Sequence, residues 1–276
     1  MENIILLNTL ILGGTAFLAA FILYFVSKKF MVETDETTVK IVDVLPQANC
    51  GGCGHAGCAD FATSCAKANE DSFANLYCPV GGHKVMQQIA EIKGFAATEK
   101  AKTVAVLHCQ GSCQNAPDKI MYEAVSSCRI ANRISSGKSG CPNGCLRMGD
   151  CIKACKFGAL SINKETGLPE VDAAKCVSCG ACVKVCPRGL FEIRQLSPNG
   201  GVVYVACRNK QKGATARKNC KVACIGCMKC TKINELVKVD NNLSYIPSEI
   251  DADKYGAELA QNCPTGAIVF KETTNV

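Results

Sequence analysis

The sequence has no tryptophan, and aromatic residues make up only 6% of its 276 positions. Large aromatic cores are therefore excluded, and a chain rich in glycine and alanine must build small ones. No GxGxxG follows a strand-like run and no Walker A loop occurs, so the usual cradles for dinucleotides and nucleoside triphosphates are absent. The amino end lacks the basic leader of a secretory signal. Met1-Glu2-Asn3 carries an acid, and no small-x-small site follows Phe25. Aromatics interleaved with basic residues, as in single-strand nucleic-acid grooves, are missing from the cysteine-rich stretches, which argues against nucleic acid as a partner.

What the chain has is cysteine: 22 of them, bunched in CxxC and CxxxC groups. A disulfide framework belongs to short secreted chains, whereas clustered thiols in a longer chain suit metal ligation in a reducing compartment. The organising stretch is Cys176-Val-Ser-Cys179-Gly-Ala-Cys182-Val-Lys-Val-Cys186-Pro187. Three cysteines at three-residue spacing wrap one face of an iron–sulfur cube. In two-cluster ferredoxins the fourth, before proline, ligates the other cluster. Zinc sites show well-separated CxxC pairs instead. The pattern therefore predicts [4Fe-4S] clusters.

Residues Ile4–Val26 are apolar apart from Asn8, Gly13, Gly14 and Thr15, long enough to cross a hydrocarbon core of about 30 Å. Lys28 and Lys29 follow directly. The positive-inside rule then predicts a single-pass anchor with the rest of the chain in the cytoplasm. Val32–Thr38 reads as a linker. Next comes Asn49-Cys50-Gly-Gly-Cys53-Gly-His55-Ala-Gly57-Cys58, for which Cys78-Pro79 supplies a fourth thiolate. Cys65, on a predicted helix Ala59–Asn69, reads as a buried spare, and His55 and His83 as flanking residues. A second helix is predicted near Lys84–Lys93.

A strand is predicted over Thr103–His108, a helix over Met121–Ile134, a strand over Ala159–Ile162 and a linker over Asn163–Ala174. Between them, Cys145-Leu-Arg-Met148-Gly-Asp-Cys151-Ile-Lys-Ala-Cys155 has ferredoxin spacing with Met148 in the second cysteine position. A thioether is a poor substitute, so another ligand is needed, and Cys141 is the nearest. Cross-ligation then gives two sets, Cys141, Cys145, Cys151 and Cys186, and Cys155, Cys176, Cys179 and Cys182.

The last third repeats the middle. Val202-Val-Tyr-Val-Ala-Cys207 echoes Val104-Ala-Val-Leu-His-Cys109, and Cys220-x3-Cys224 echoes Cys141-x3-Cys145. Cys224, Cys227, Cys230 and Cys263 form one complete set. The positions of the second set are Asn234, Asp253, Gly256 and Leu259, so that cluster is lost as a unit. Cys109, Cys113, Cys128, Cys207 and Cys220 remain, and a fifth cluster is expected on Cys109, Cys128, Cys207 and Cys220. The chain is thus expected to be α+β: a transmembrane helix (1–30), a small four-cysteine iron–sulfur module (31–95), a two-cluster bacterial ferredoxin-like module (96–200) and a one-cluster relative of it (201–276).

An apolar amino-terminal helix, the ANCGGCGHAGC and CPVGG segments, and following ferredoxin motifs, in that order, resemble the B-subunit family of the Rnf complex across nearly the whole chain. The resemblance implies a membrane-anchored electron-transfer subunit of an ion-translocating ferredoxin:NAD⁺ oxidoreductase. It would accept electrons from soluble ferredoxin and relay them to other membrane and flavin- or NAD-binding subunits. It also admits a second role, an anchored reductase that keeps a redox-sensing regulator reduced. The net charge is +7. Lys153, Lys156, Lys175, Lys184 and Arg188, near the cluster motifs, would steer an acidic ferredoxin.

Overall fold

Residues Glu2–Lys29 form one unbroken helix, α1. From Ile5 to Lys29 it is long and apolar enough to cross a membrane, and none of it is buried by the rest of the chain. Its hydroxyls are satisfied within the helix, as hydrocarbon surroundings require: Thr9 donates to Ile5 O and Thr15 to Ile11 O. The computed structural model describes residues 2–29, 35–96, 100–123, 125–134 and 137–273.

Beyond α1, Asp35 accepts the N–H of Thr37 and starts α2 (Glu36–Val44). The predicted linker Val32–Thr38 therefore ends at a helix cap, its first three residues lying outside the described ones. α2 packs on α3 (Cys58–Lys67) and α5 (Gly82–Lys93), with the single turn α4 (Glu70–Phe73) between them. Ile41, Phe61, Phe73, Met86 and Ile89 fill the core, and Cys65 lies among them, fully buried.

Two antiparallel ribbons carry the rest. β1 (Thr103–Leu107) leads through α6 (Cys128–Ile134), α7 (Asp150–Ala154), the hairpin β2 (Leu160–Ile162) and β3 (Pro169–Val171), and α8 (Ala181–Val185) to its partner β4 (Phe191–Gln195). The second half follows the same order. β5 (Gly201–Val205) leads through α9 (Gly213–Asn219), a 3-10 turn at Cys230–Lys232, the hairpin β6 (Lys238–Asp240) and β7 (Leu243–Tyr245), and α10 (Ala252–Gln261) to β8 (Ile268–Glu272). Val104 and Val106 of one ribbon meet Val202 and Tyr204 of the other.

Two predicted elements change. The helix expected over Met121–Ile134 is confined to α6, because the Val-Ser-Ser run before Cys128 favours capping over helix. The expected linker Asn163–Ala174 contains β3. Asn163 Oδ1 accepts the N–H groups of Glu165 and Thr166, and this turn folds β3 back onto β2.

A buried polar knot ties the two halves together. His108 donates through Nδ1 to Val205 O (2.7 Å), and its Nε2 lies 2.8 Å from Glu192 Oε2. Arg194, 1% exposed, donates to Ile246 O (2.5 Å) and lies 3.6 Å from the same carboxylate. Tyr245 Oη donates to Glu192 as well (3.2 Å). The hydrogen bond from His108 holds the Glu192 carboxyl below its usual range, against the opposing effect of burial.

Candidate metal centres

The three ferredoxin-spaced loops share one backbone conformation. Each has two residues in the left-handed region, two apart: Arg147 and Gly149, Ser178 and Gly180, Gly226 and Met228. Non-glycine residues adopt this region reluctantly, and such strain collects at functional sites. The conformation turns backbone N–H groups inward. Arg147 N donates to Cys145 Sγ (3.4 Å), and the N–H groups of Ala181 and Gly226 serve Cys179 and Cys224. In the helical module, Gly52 N does the same for Cys50 (3.4 Å). A sulfur that accepts an N–H from two residues downstream thus recurs in every ligand loop, as expected for thiolates.

Three cavities are each lined by four cysteines. Cys155, Cys176, Cys179 and Cys182 line one, below Ala105, Leu160 and Ile193. Cys224, Cys227, Cys230 and Cys263 line another, where Ser244 N donates to Cys224 Sγ (3.4 Å) and the Ser244 hydroxyl lies 3.1 Å from Cys230 Sγ. The third is lined by Cys128, Cys145, Cys151 and Cys186.

The third cavity differs from the sequence reading: Cys128, not Cys141, lines it with Cys145, Cys151 and Cys186. Asp150, at the start of α7, accepts from Ser127 Oγ (3.0 Å) and Arg129 N (3.2 Å), and so pins the beginning of α6, and Cys128 with it, over the site. Cys141 is close to Cys145 in sequence, but it lies across a turn closed by Gly144 N on Cys141 O and faces Asn209. Of the expected fifth set, Cys109, Cys207 and Cys220 come together, and Cys141 stands beside them where Cys128 was expected.

The thiols are held neutral by their surroundings as long as no cationic group is bound. Burial first, then the neighbouring thiols, push Cys151 up to about 12 and Cys182 to about 11. A tetrahedral zinc ion would hold sulfurs about 3.8 Å apart, from Zn–S bonds of about 2.3 Å. Among the described residues no three His, Cys, Asp or Glu side chains gather around a point in that way. Four thiols spread around an apolar cavity, with N–H donors aimed at sulfur, fit a [4Fe-4S] cube.

In the helical module Cys53, Cys58 and Cys78 pack on one core, Cys50 and Cys53 act electrostatically on Cys78, and Gly81 N donates to Cys78 Sγ (3.4 Å). Cys65 is buried behind them and pushed up to about 12 by burial. His55 pairs with Asp60 and rests on Phe61, and His83 is exposed. Cys113 donates to Thr166 O, as a thiol does and a ligand does not.

The sets adjoin. A Cβ on Gly52 would lie 2.9 Å from Cys179 Cα, and Cys50 acts electrostatically on Cys179, so the helical module sits directly on the Cys176 loop. Lys184 donates to Gly51 O across the same contact (3.3 Å). Most of the basic residues expected to steer a partner are engaged within the chain. Lys153 bonds Ser126 O, Lys175 pairs with Asp172, and Arg188 bonds Asn132 and Cys141 O; Lys156 remains exposed.

Comparison with known proteins agrees with this chemistry. A family profile described as "4Fe-4S dicluster domain" matches residues 140–190, and one described as "Putative Fe-S cluster" matches residues 45–71. The chain is similar to the B subunit of the ion-translocating oxidoreductase complex of Methanosarcina acetivorans, at 36% identity over 98% of this chain and all of the relative. The B subunit of the Na(+)-translocating ferredoxin:NAD(+) oxidoreductase complex of Acetobacterium woodii is 38% identical over 97% of this chain and 78% of its own length. The proton-translocating counterpart of Clostridium ljungdahlii is 35% identical over 96% of this chain and 92% of its own.

Proposed function

The chain belongs to the B-subunit family of ion-translocating oxidoreductase complexes, and we propose that it takes electrons from reduced ferredoxin and passes them towards membrane and flavin- or NAD-binding subunits. It is an iron–sulfur electron-transfer subunit of an enzyme complex, a relay rather than a substrate-converting enzyme. The four-cysteine sets that support this reading are Cys50, Cys53, Cys58 and Cys78; Cys155, Cys176, Cys179 and Cys182; Cys128, Cys145, Cys151 and Cys186; and Cys224, Cys227, Cys230 and Cys263. When bound, [4Fe-4S] clusters supply one-electron oxidation and reduction, at potentials set by burial, charge and hydrogen bonds to sulfur. The protein contributes placement. Gly52 allows two ligand loops to touch, and the N–H groups described above offset the thiolates' charge.

The division into anchor (1–30), helical module (31–95) and two ferredoxin-like modules (96–200 and 201–276) follows from the same reading. So does the orientation, with Lys28 and Lys29 on the cytoplasmic side.

The observation that carries the reading of the partner is a charge imbalance. Arg208, Lys210, Lys212, Arg217, Lys218, Lys221, Lys229, Lys232 and Lys238 occupy one stretch whose single acid is Glu235, in a chain of net charge +7. Among the described residues Arg208 alone of these nine forms an ion pair. Within this stretch Cys227 and Met228 are exposed. A basic stretch that contains an accessible ligand loop suits an acidic one-electron carrier better than a dinucleotide.

The test uses the full iron-loaded chain in detergent. Reduced ferredoxin should reduce it rapidly without flavin or NAD⁺, and the rate should fall as salt rises. Reversing Lys229 and Lys232 to Glu should slow that step about tenfold and leave the iron content unchanged. Rapid reduction by NADH, with ferredoxin inert, would overturn the proposal.

A further inference from the structure

We propose that Cys109, Cys141, Cys207 and Cys220 hold a fifth [4Fe-4S] cluster, shared between the two ferredoxin-like halves. The inference extends the iron–sulfur reading of the other four sets. Cys141 and Cys220 share one buried cluster with Cys207 packed against it, and Cys109 Sγ and Cys220 Sγ both face Gly111, 3.4 and 3.9 Å from where a Cβ there would lie. Cys109, Cys141 and Cys220 are buried, and Cys207 nearly so. All four are free cysteines.

The site is built with an internal two-fold correspondence. Cys109 follows β1 as Cys207 follows β5, and Cys141 precedes Cys145 as Cys220 precedes Cys224. Each half therefore gives two thiols from matching places. The hydrogen bonds match too. Cys109 Sγ accepts from Gly111 N (3.3 Å) and from Cys145 N (3.3 Å). Cys207 Sγ accepts from Asn209 N (3.5 Å) and from Cys224 N. In both halves the donors are the residue two places on and the first ligand of that half's own ferredoxin loop.

Cys220 takes the N–H of Val222, again two residues on. Asn209, 1% exposed, directs Nδ2 at Cys141 Sγ (3.8 Å). Two N–H donors on one sulfur are wasted on a thiol, a weak acceptor, and suit a thiolate. The alanines Ala116, Ala216 and Ala223 pack around Cys141 and Cys220, small side chains next to the thiols.

The set also lies where the two halves meet. Through Cys145 N it touches the Cys128, Cys145, Cys151 and Cys186 site, and through Cys224 N it touches the Cys224 site. The thiolate sets then form a single file: the helical module, the Cys176 set, the Cys145 set, the shared set and the Cys224 set.

The experiment is an iron and sulfide count with low-temperature EPR and Mössbauer spectra on the full chain, purified without oxygen. Wild type should hold about 20 irons, four for each of five sets. Cys141→Ala and Cys220→Ala should each lose about four irons and keep the spectra of the remaining sets. Cys128→Ala should instead alter the Cys145 set, and Cys113→Ala should change nothing. About 16 irons in wild type, with Cys220→Ala unchanged, would overturn the fifth set and leave the other four standing. Zinc in place of iron throughout would overturn the iron–sulfur reading itself. Should a variant fail to fold, the wild-type count alone still decides.

Discussion

The two ferredoxin-like halves share an order of elements and differ in what fills one position. In the first, α8 is one short turn of helix that carries Cys182 and ends at Cys186, and the loop before it supplies Cys176 and Cys179. In the second, the matching stretch is α10, twice as long and without a cysteine. Its residues have new work. Asp253 accepts the N–H groups of Asn199 and Gly201 and clamps the start of β5. Gly256 lies under the Phe270 ring, where a Cβ would come within 2.2 Å of Cδ2. Leu259 is fully buried among Val203, Ile246 and Ile268. Asn234 caps a turn through Leu236 N. At these four positions the second half has packing and backbone contacts in place of thiols. The four-cysteine cavity of the first half thus has, at the matching place in the second, a cluster of Leu, Ile and Phe that needs no metal to fill it.

The largest way to break this equivalence is Leu259→Ala. It empties the substitute core and should cost about 3 kcal/mol, the range for a buried leucine. Thermal or denaturant unfolding of the iron-loaded chain measures it. Removing iron should destabilise the first half, which carries two complete four-cysteine sets, more than the second, which carries one, so a second half that melts equally on chelation would contradict the comparison.

Next in size is the knot that holds the halves in register. Glu192→Ala leaves the buried charge of Arg194 without its carboxylate. Breaking a buried pair costs about 3–5 kcal/mol, and because Glu192 is partly exposed about 2 kcal/mol is expected here. The carboxyl is held below its ordinary range by His108, so the folded state binds its proton less readily than the unfolded chain. Its contribution is full above about pH 4.3, the unfolded value, and is lost as pH falls through the lower folded value. Acid titration of stability should therefore be shallower in the variant than in the wild type.

Much of this is legible in the sequence because spacing maps directly onto a loop. The rule that groups Cys155 with Cys176, Cys179 and Cys182 names the residues that line one cavity, and Cys224, Cys227, Cys230 and Cys263 follow the same rule. The apolar anchor needs only a composition count. The exchange of Cys128 and Cys141 is not legible, because nearness in sequence is not nearness in space. A signal is present in Asp150, an acid at the first turn of a short helix, but its partners, Ser127 and Arg129, are revealed only by folding. β3 escapes a sequence reading because three residues leave no periodicity. The Glu192 knot escapes it because its members come from both halves of the chain.

Asp150 gives the smallest and most selective test of the comparison. Its carboxylate holds the start of α6, which brings Cys128 to the place left by Met148, whereas in the second half the thiol at that place, Cys227, stands in the ferredoxin loop itself. Asp150→Ala removes two hydrogen bonds and leaves Arg129 N at an exposed helix start, a loss of about 1 kcal/mol, the usual size for a helix cap. The stability change should be hard to see, but the spectroscopic one should not. With Cys128 no longer pinned, the Cys145, Cys151 and Cys186 set should lose iron first on mild oxidation or chelation, while the Cys224 set keeps its EPR signal. Asp150→Asn, which retains an acceptor oxygen, should restore most of the iron retention. Equal loss from both halves would mean that Asp150 supports the fold at large, and no selective loss in Asp150→Ala would mean that Cys128 is positioned by its helix alone.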